Sequence, residues 1–294
     1  MDTEKCRALL VALDSGSLSA AAKQLGYTVG GVSRMMAILE EETGFPLLVR
    51  SKSGVSPTSE CEALLPVMRE LVYTAEKYGQ TAAALRGLDS GRVTVGVSCD
   101  TYYRWLASAI AGFSRLHPAI RINTVYDVLS SRIIEMLNEH SVDLCIISRR
   151  DGAVGWTQIK RDELVAIVHC GDPLSKLDRI PLELLEKEPY IEISPGCDTD
   201  NARMLAKNGI VPDVRYTCTS VSAACSLVSA GLGFTLLNAM LAQSMPQELK
   251  AVGLSPPQYV DIGIATNAAD ETSPAAQSFI SYLKKTGFNE TLQH

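Results

Sequence analysis

Apolar positions at helical spacing divide the first sixty residues into three short helices. Gly16, Gly26 and Gly44 stand where each helix is expected to end, because glycine readily adopts the left-handed conformation that closes a helix. Ser17 and Thr28 precede the second and third helices, where a hydroxyl oxygen can accept the free N–H groups of the first turn. The pattern therefore predicts a small tri-helical domain.

The third predicted helix runs from 29 to about 42 and has one apolar face. Val32, Met36 and Leu39 fall at i, i+4 and i+7 and are expected to point inward. A basic hairpin with the polar tip 51–53 follows. Helix, short turn and helix is the geometry that places a second helix in the DNA major groove, and such a hairpin can lie on phosphates. The pattern alone equally fits a helical domain that binds no DNA.

A long helix is predicted to connect this domain to the rest of the chain. Its apolar positions alternate in steps of three and four, which is the seam of a coiled coil: Cys61, Leu64, Met68, Leu71, Ala75, Tyr78, Ala82 and Leu85. Such a seam can pack on its own domain or against a second copy. On a helix that links two domains we favour a second copy, and we expect a homodimer or homotetramer.

After residue 87 the pattern changes to strands that alternate with helices, which predicts βαβ units and a largely parallel sheet. The strands are expected near 92–99, 121–127, 142–148, 164–169, 190–194, 214–219, 234–237 and 260–266, and the helices near 103–117, 131–139, 200–208, 222–230 and 274–286. The last strand and helix are expected to return to the first block. The prediction is therefore two lobes joined by crossovers near 160–164 and 260–267.

A small ligand in such a fold binds between the lobes, near strand ends and helix N-termini. The candidate effector-binding residues are Ser98, Cys99, Asp100, Thr101, Ser148, Pro195, Gly196, Thr219 and Ser220. Asp100 either caps a helix or faces the cleft, where it would repel an anion and favour a polar or amine-bearing ligand. Tyr102, Tyr103 and Trp105 either line the cleft mouth or pack in the core.

Composition narrows the functional classes. The 294 residues carry 27 Lys and Arg against 33 Asp and Glu, a net charge of −6, which argues against broad attraction to nucleic acid. No apolar run is long enough to cross a membrane, and the start does not resemble a secretory signal. Eight irregularly spaced Cys then point to reduced thiols in a cytoplasmic protein. Neither a catalytic His arrangement nor metal-ligand spacing is apparent, so we expect no enzyme activity, metal or cofactor.

Specific motifs identify the family. The run LLVALDSGSLSAAAKQLGYTVGGVSRMMAILEEETGFPLLVRSKSGVSPT resembles the winged helix-turn-helix of LysR-type transcriptional regulators, without a gap over about fifty residues. The phrases FSRLHP, DLCII and LVSAGLG resemble, in order, the periplasmic-binding-protein-like effector domain of the same regulators. The chain departs from the family where DNA is read, because Val29-Gly30 replaces the common Gln-Pro pair and few basic residues follow Arg34.

The resemblance implies an α/β protein with three parts: a winged helix-turn-helix domain (1–57), a linker and dimerisation helix (58–87) and a two-lobed α/β effector-binding domain (88–294). Lobe I would comprise about 92–161 and 267–294, and lobe II about 162–266. The DNA contacts carried over are Ser17, Ser19, Thr28, Val29, Gly30, Ser33, Arg34, Arg50 and Lys52. The partners implied are a double-stranded DNA operator and a small-molecule effector, with no membrane.

Two alternatives stay open: a thiol-based redox-sensing regulator of the same fold, in which Cys197, Cys218 or Cys225 would react, and a small-molecule-binding protein without DNA function.

The charge of the predicted DNA-binding domain, the reading head, affects how strongly we expect it to bind DNA. Residues 1–60 hold six basic and seven acidic side chains, a net of −1, with three acids at Glu40–Glu42. We therefore expect DNA binding that is weak per head, salt-sensitive and dependent on dimerisation.

Overall fold

The computed structural model describes residues 2–51, 54–98, 101–127, 129–150, 155–243, 245–268 and 271–287. Three residues singled out above, Lys52, Cys99 and Asp100, lie outside these ranges, and the side chain of Thr101 is likewise not described. No described helix is both long enough and apolar enough to cross a bilayer.

The amino-terminal domain, called the head below, is a tri-helical bundle with a two-stranded wing. Its helices are α1 (Thr3–Asp14), α2 (Leu18–Leu25) and α3 (Val29–Thr43), and its antiparallel wing strands are β1 (Leu48–Ser51) and β2 (Gly54–Pro57). The predicted inward face of α3 is confirmed, because Val32, Met36 and Leu39 are all buried. Ser17 and Thr28 cap α2 and α3 as their sequence positions predicted.

The linker helix α4 (Ser59–Leu85) divides the predicted apolar seam between two environments. Cys61 and Met68 are buried in the core of the head, against α1. Tyr78 and Leu85 are 77% and 86% exposed. The expectation that the seam as a whole meets a second copy was therefore wrong for its first half. The first half of the seam packs into the core of the head, because the three short helices of the head need a fourth helix to cover their apolar faces.

A second, polar stripe on α4 docks the helix onto the effector domain. The docking stripe is Arg69, Tyr73, Glu76 and Gln80, spaced four, three and four residues apart so that its members share one face. The Tyr73 hydroxyl accepts a hydrogen bond from the Ser273 amide at 3.1 Å, and the Gln80 side-chain oxygen accepts from the Ala275 amide at 3.3 Å. Main-chain N–H groups of the effector domain thus fix the position of the linker.

The effector domain contains the remaining elements. Its helices are α5 (Thr101–Leu116), α6 (Ser130–Asn138), α7 (Asp200–Lys207), α8 (Val221–Ser229), α9 (Ala239–Ala242) and α10 (Pro274–Thr286). Its strands are β3 (Gly91–Val97), β4 (Ile120–Tyr126), β5 (Leu144–Ser148), β6 (Gly155–His169), β7 (Arg179–Pro181), β8 (Pro189–Ile193), β9 (Asp213–Cys218), β10 (Thr235–Asn238) and β11 (Leu249–Thr266). This order confirms the predicted alternation of strands and helices.

The sheet is mixed rather than largely parallel, which corrects the sequence prediction. Its order is β10-β6-β11-β5-β3-β4, with β7 beside β11, and β8 and β9 form a separate parallel pair. Strands β4, β3 and β5 run parallel, but β6, β10 and β11 pair antiparallel. The reason is that β6 leaves lobe I and β11 returns to it, so neighbouring strands must run in opposite directions.

The two long strands form the predicted crossovers. β6 and β11 pair along most of their length, with Asp162 opposite Val260 and a register shift between Gly253 and Gln258. Because both connections between the lobes lie side by side in one ladder, the lobes are joined by a narrow two-stranded waist.

Candidate DNA-binding surface and effector cleft

The start of α3 is held by its cap and is open to solvent. The Thr28 hydroxyl oxygen accepts a hydrogen bond from the Gly31 amide at 3.0 Å, and the Ser17 hydroxyl oxygen accepts from the Ala20 amide at 3.4 Å. Each hydroxyl still has its own hydrogen to donate to a phosphate oxygen. Both predicted contacts therefore have a structural role that leaves a DNA contact possible.

The predicted base-reading face is exposed on α3. Val29 is 49% exposed, and Gly30 and Arg34 are also exposed, whereas Ser33 is half-buried. Ser19 is exposed on α2. An apolar side chain and a glycine where a duplex would enter suit contact with thymine methyl groups, and Arg34 is the side chain suited to a bidentate contact with guanine.

The wing and α3 form one surface. Arg50 on β1 donates a hydrogen bond from Nη1 to the Ser33 hydroxyl at 3.5 Å, so the wing cation lies against the helix that would enter the groove. The amide of Val55 donates to the Gly16 carbonyl at 2.9 Å and ties the wing to the turn between α1 and α2. The structure thus brings Arg50 of the wing against Ser33 of α3, one residue before the exposed Arg34.

The acids of the head are largely committed to its own structure. Glu40 accepts the amides of Leu47 and Leu48 at 2.8 and 3.2 Å and so fixes the entry to the wing. Glu42 pairs with Lys5 at 2.6 Å. These carboxylates lie at the far end of α3 from Thr28, so the acidic run at 40–42 does not face the DNA-reading end of the helix.

A cleft of about 340 Å³ opens between the lobes where strands end and helices begin. Ser98 follows β3, Ser194 follows β8, and Thr219 and Ser220 follow β9. Ser130 opens α6, whose N-cap Leu129 makes no side-chain capping hydrogen bond. The cleft is therefore rich in hydroxyl groups and in helix N–H donors, which suits a small polar ligand.

A buried arginine with two aspartates forms one wall of the cleft. The side chain of Arg150 is 6% exposed and pairs with Asp200 at 2.8 Å and with Asp198 at 3.5 Å. Asp198 is also held by Arg203, and that hydrogen bond and the positive charge of Arg150 lower the pKa of Asp198. A ligand meets an arginine whose charge is already compensated, so recognition there depends on hydrogen bonds rather than on net charge.

The predicted effector residues divide into three groups. Ser98, Thr219 and Ser220 line the cleft. Ser148 lies behind Arg150, where its hydroxyl accepts from Arg150 at 2.6 Å and donates to Asp200 at 2.8 Å, and it lines an adjoining pocket of about 270 Å³ instead. Pro195 and Gly196 are absent from the described lining, to which their neighbour Ser194 contributes.

Sequence reasoning missed most of the polar side chains in the cleft: Tyr126, Ser130, Arg150, Ser194, Asp198, Thr199, Asp200, Asn201 and Asn238. A usable signal was present for two of them, because Arg150 follows a buried strand and Asp200 opens a helix. Of the three aromatic residues considered, Tyr102 is buried yet lines the cleft, whereas Trp105 is a core residue that donates to the Gly287 carbonyl at 3.0 Å.

Known protein families match both the amino-terminal domain and the carboxy-terminal two thirds of the chain. Residues 3–62 match the bacterial regulatory helix-turn-helix protein of the lysR family, and residues 86–287 match the LysR substrate binding domain. The uncharacterized HTH-type transcriptional regulator YvbU of Bacillus subtilis is 24% identical over 92% of this chain and 94% of its own. DgdR of Burkholderia cepacia, an HTH-type transcriptional regulator, is 27% identical over 90% of this chain and 86% of its own.

Two solved structures share the fold. A full-length OxyR variant from Pseudomonas aeruginosa superposes with a TM-score of 0.75 at 18% identity, covering 97% of this chain and 98% of its own. The LysR-family regulator CbnR, solved with its target DNA, gives a TM-score of 0.67 at 19% identity, covering 98% and 100%. The likeness extends over head, linker and effector domain together.

Proposed function

The chain belongs to the LysR family of transcriptional regulators, and from that premise we propose that α3 and the wing bind an operator while a small polar molecule in the inter-lobe cleft controls that binding. The protein would act in the cytoplasm as a dimer or tetramer, as a binding protein rather than a catalyst. The observation that carries the proposal is the contact of Arg50 on the wing with Ser33 on α3, next to Arg34 in the chain. Arg34 and Arg50 are both exposed, so this part of the head carries exposed cations although the head as a whole is not basic.

Helix α6 offers a route from the cleft to the head. Its first residue, Ser130, lines the cleft. Beyond its other end, Ser141 accepts a hydrogen bond from Arg69 of the linker at 2.6 Å, and Arg69 lies 3.9 Å from Asp14 of the head. A ligand that binds one arrangement of the lobes more tightly would therefore shift α6 and, through Arg69, the orientation of the reading head.

DNA binding is tested by a gel-shift titration of the full-length protein on the DNA that flanks its own gene. Arg34→Ala should weaken specific binding about tenfold or more, since one base-reading contact contributes about 1–3 kcal/mol. Arg115→Ala, an exposed arginine on α5 remote from the head, is the matched control and should leave binding unchanged. Failure of the wild-type protein to shift this DNA at low salt would contradict the proposal.

The cleft is tested by thermal-shift screening against a metabolite library, because a ligand that binds the folded state raises its apparent stability. Thr219→Val keeps the size of the side chain but removes a hydroxyl that lines the cleft, and should weaken any hit. Thr217→Val, on the exposed strand β9, should not. Equal loss in both variants would place the ligand elsewhere.

Redox sensing is the alternative within the same fold. Burial raises the pKa of the Cys6, Cys145 and Cys225 thiols and raises that of Cys61 to about 11, which makes these four poor nucleophiles at neutral pH. Cys197 and Cys218 are half-buried in lobe II and are the residues this alternative needs. It predicts that peroxide changes operator binding and that Cys197→Ser or Cys218→Ser abolishes the change.

A further inference from the structure

A second cavity, larger than the cleft, lies where the head meets lobe I. It measures about 580 Å³ and is walled by α1 and α2 of the head, by the linker α4, and by β3, β4 and α6 of lobe I. Among the described residues, none that lines this junction cavity also lines the inter-lobe cleft. Its volume falls in the range of about 300–1,000 Å³ that small-molecule sites occupy.

Four arginines from four different elements line the junction cavity: Arg7 on α1, Arg69 on α4, Arg92 on β3 and Arg132 on α6. Three carboxylates accompany them in the lining, Asp14, Glu76 and Glu139, and Arg132 also pairs with Glu135 at 3.1 Å on the surface of α6. Glu76 is shared between two guanidinium groups, lying 3.0 Å from Nη2 of both Arg7 and Arg92. One carboxylate therefore faces two cations.

Arg69 is only partly satisfied by the described residues around it. Its one described hydrogen bond goes to the neutral Ser141 hydroxyl, at 2.6 Å. Its carboxylate neighbours are distant, at 3.7 Å for Glu139 and 3.9 Å for Asp14. A guanidinium group has five N–H donors in a planar fork, so most of the donors of Arg69 have no close acceptor among the described residues.

Two buried N–H groups at the junction have no hydrogen-bond partner in the described structure, Nε of Arg7 and Nε of Arg69. Buried polar groups are almost always paired, so each exception calls for an explanation, such as a bound ion or an ordered water. The unpaired donors belong to head and linker, and both residues line the same cavity. An acceptor placed there would complete both.

We propose that the junction cavity is a second ligand site, which binds a small oxyanion with phosphate or polycarboxylate chemistry. Such anions match the planar fork of arginine, often through two parallel hydrogen bonds. The carboxylates on the same walls restrict the ligand to a compact anion, because an extended polyanion would meet Asp14 and Glu139 as well as the arginines. The site is separate in space from the inter-lobe cleft, with which it shares no described lining residue.

Occupancy of this site would join the head to the effector domain. The anion would lie between Arg7 of the head and Arg132 of lobe I, two parts of the protein that the described ion pairs connect through Arg69 and Glu76 of the linker. It would therefore restrict the orientation of the reading head and alter how two heads span an operator. The cleft effector and the oxyanion would be separate inputs to the same head.

The test is calorimetric titration of the full-length protein with sodium phosphate and, separately, sodium citrate, against sodium chloride at matched ionic strength. The expected result is saturable binding of at least one oxyanion, which also identifies the source of the anion, and no saturable signal with chloride. Arg69→Gln should weaken that binding about tenfold, the effect of losing one charge-assisted contact. Arg115→Gln, an exposed arginine outside the cavity, should leave it unchanged.

A second variant guards against loss of the junction itself. Arg132→Gln alters a half-exposed side chain on the surface of α6, so the fold should persist, and it should weaken oxyanion binding several-fold. The proposal is overturned by the absence of saturable binding, or by equal affinity in the wild type, Arg69→Gln and Arg132→Gln. It is also overturned if Thr219→Val in the cleft abolishes the binding, because the anion would then occupy the cleft.

Discussion

At the scale of single residues, one carboxylate of the effector domain, that of Asp143, lies at the contact with the linker helix. Asp143 accepts the Thr94 amide at 2.7 Å and lies close to Tyr73 of the docking stripe. Burial raises the pKa of Asp143 to about 6, although the hydrogen bond from Thr94 and the charge of Arg92 both oppose the rise. The unfolded chain releases this proton near its usual value of about 3.9.

We therefore expect Asp143 to make stability depend on pH. Between about pH 4 and pH 6 the folded state holds more protons than the unfolded state, so the contribution of Asp143 to stability falls as the pH rises through this window. Asp143→Asn keeps an oxygen for Thr94 but carries no charge. The free energy of unfolding of the variant should increase relative to that of the wild type as the pH rises, by at most about 3 kcal/mol.

Urea unfolding at pH 5 and pH 7.5 measures this difference. Asp178→Asn, which changes an exposed carboxylate in lobe II, serves as the control and should follow the wild type at both pH values. If Asp143→Asn and the wild type show the same pH dependence, then Asp143 is ionised in the folded protein without penalty.

At the scale of elements, the two glycines that open α3 offer a matched pair of substitutions. A Cβ at Gly30 would meet no atom within 4 Å, whereas a Cβ at Gly31 would lie 3.1 Å from the Thr28 hydroxyl that caps the helix. Alanine lowers the conformational entropy of the unfolded chain and favours the helix by about 0.5–1 kcal/mol over glycine. Gly30→Ala should raise the free energy of unfolding by this amount. Gly31→Ala should raise it less, because the Thr28 cap must shift.

Thermal unfolding of the two variants beside the wild type is the measurement. A melting temperature that rises equally in both would mean that the Thr28 cap is not needed to hold the start of α3. A decrease in Gly30→Ala would mean that the space beside this residue is occupied in the protein in solution.

The sequence predicted the ends of individual helices well, but it did not predict how the elements contact one another. Glycine, serine and threonine predicted the ends of α2 and α3 because caps are local chemistry. Arg150 and Asp200 could not be paired in advance, because their contact joins side chains fifty residues apart across the waist. The docking stripe of α4 could have been recognised in the sequence as polar residues at helical spacing. Only the apolar seam of the same helix was considered, and the stripe was therefore missed.

At the scale of the whole molecule, the exposed half of the seam on α4 points to assembly. Tyr78 and Leu85 are large apolar side chains left in solvent by a chain that buries the rest of its seam fully or in part. Introducing Asp at both positions should convert the proposed dimer or tetramer to a smaller species, since a charge buried in an apolar interface costs several kcal/mol.

Light scattering coupled to gel filtration gives the mass of each species. Leu177→Asp, at an exposed apolar position in lobe II remote from α4, is the control and should keep the mass of the wild type. A double variant with unchanged mass would show that the assembly uses another surface.

The closed ion pairs of the head have a consequence for how the protein finds its target in a genome. Because Lys5 pairs with Glu42 and Arg7 pairs with Glu76, these two cations of the head are less available to bind the phosphates of random sequence. Genomic DNA presents about 10⁶–10⁹ competing sites, and retention on them grows with each phosphate that a protein neutralises. A nearly neutral head should therefore be retained less on random sequence than a strongly basic head, which leaves a larger fraction of the protein free to find its operator.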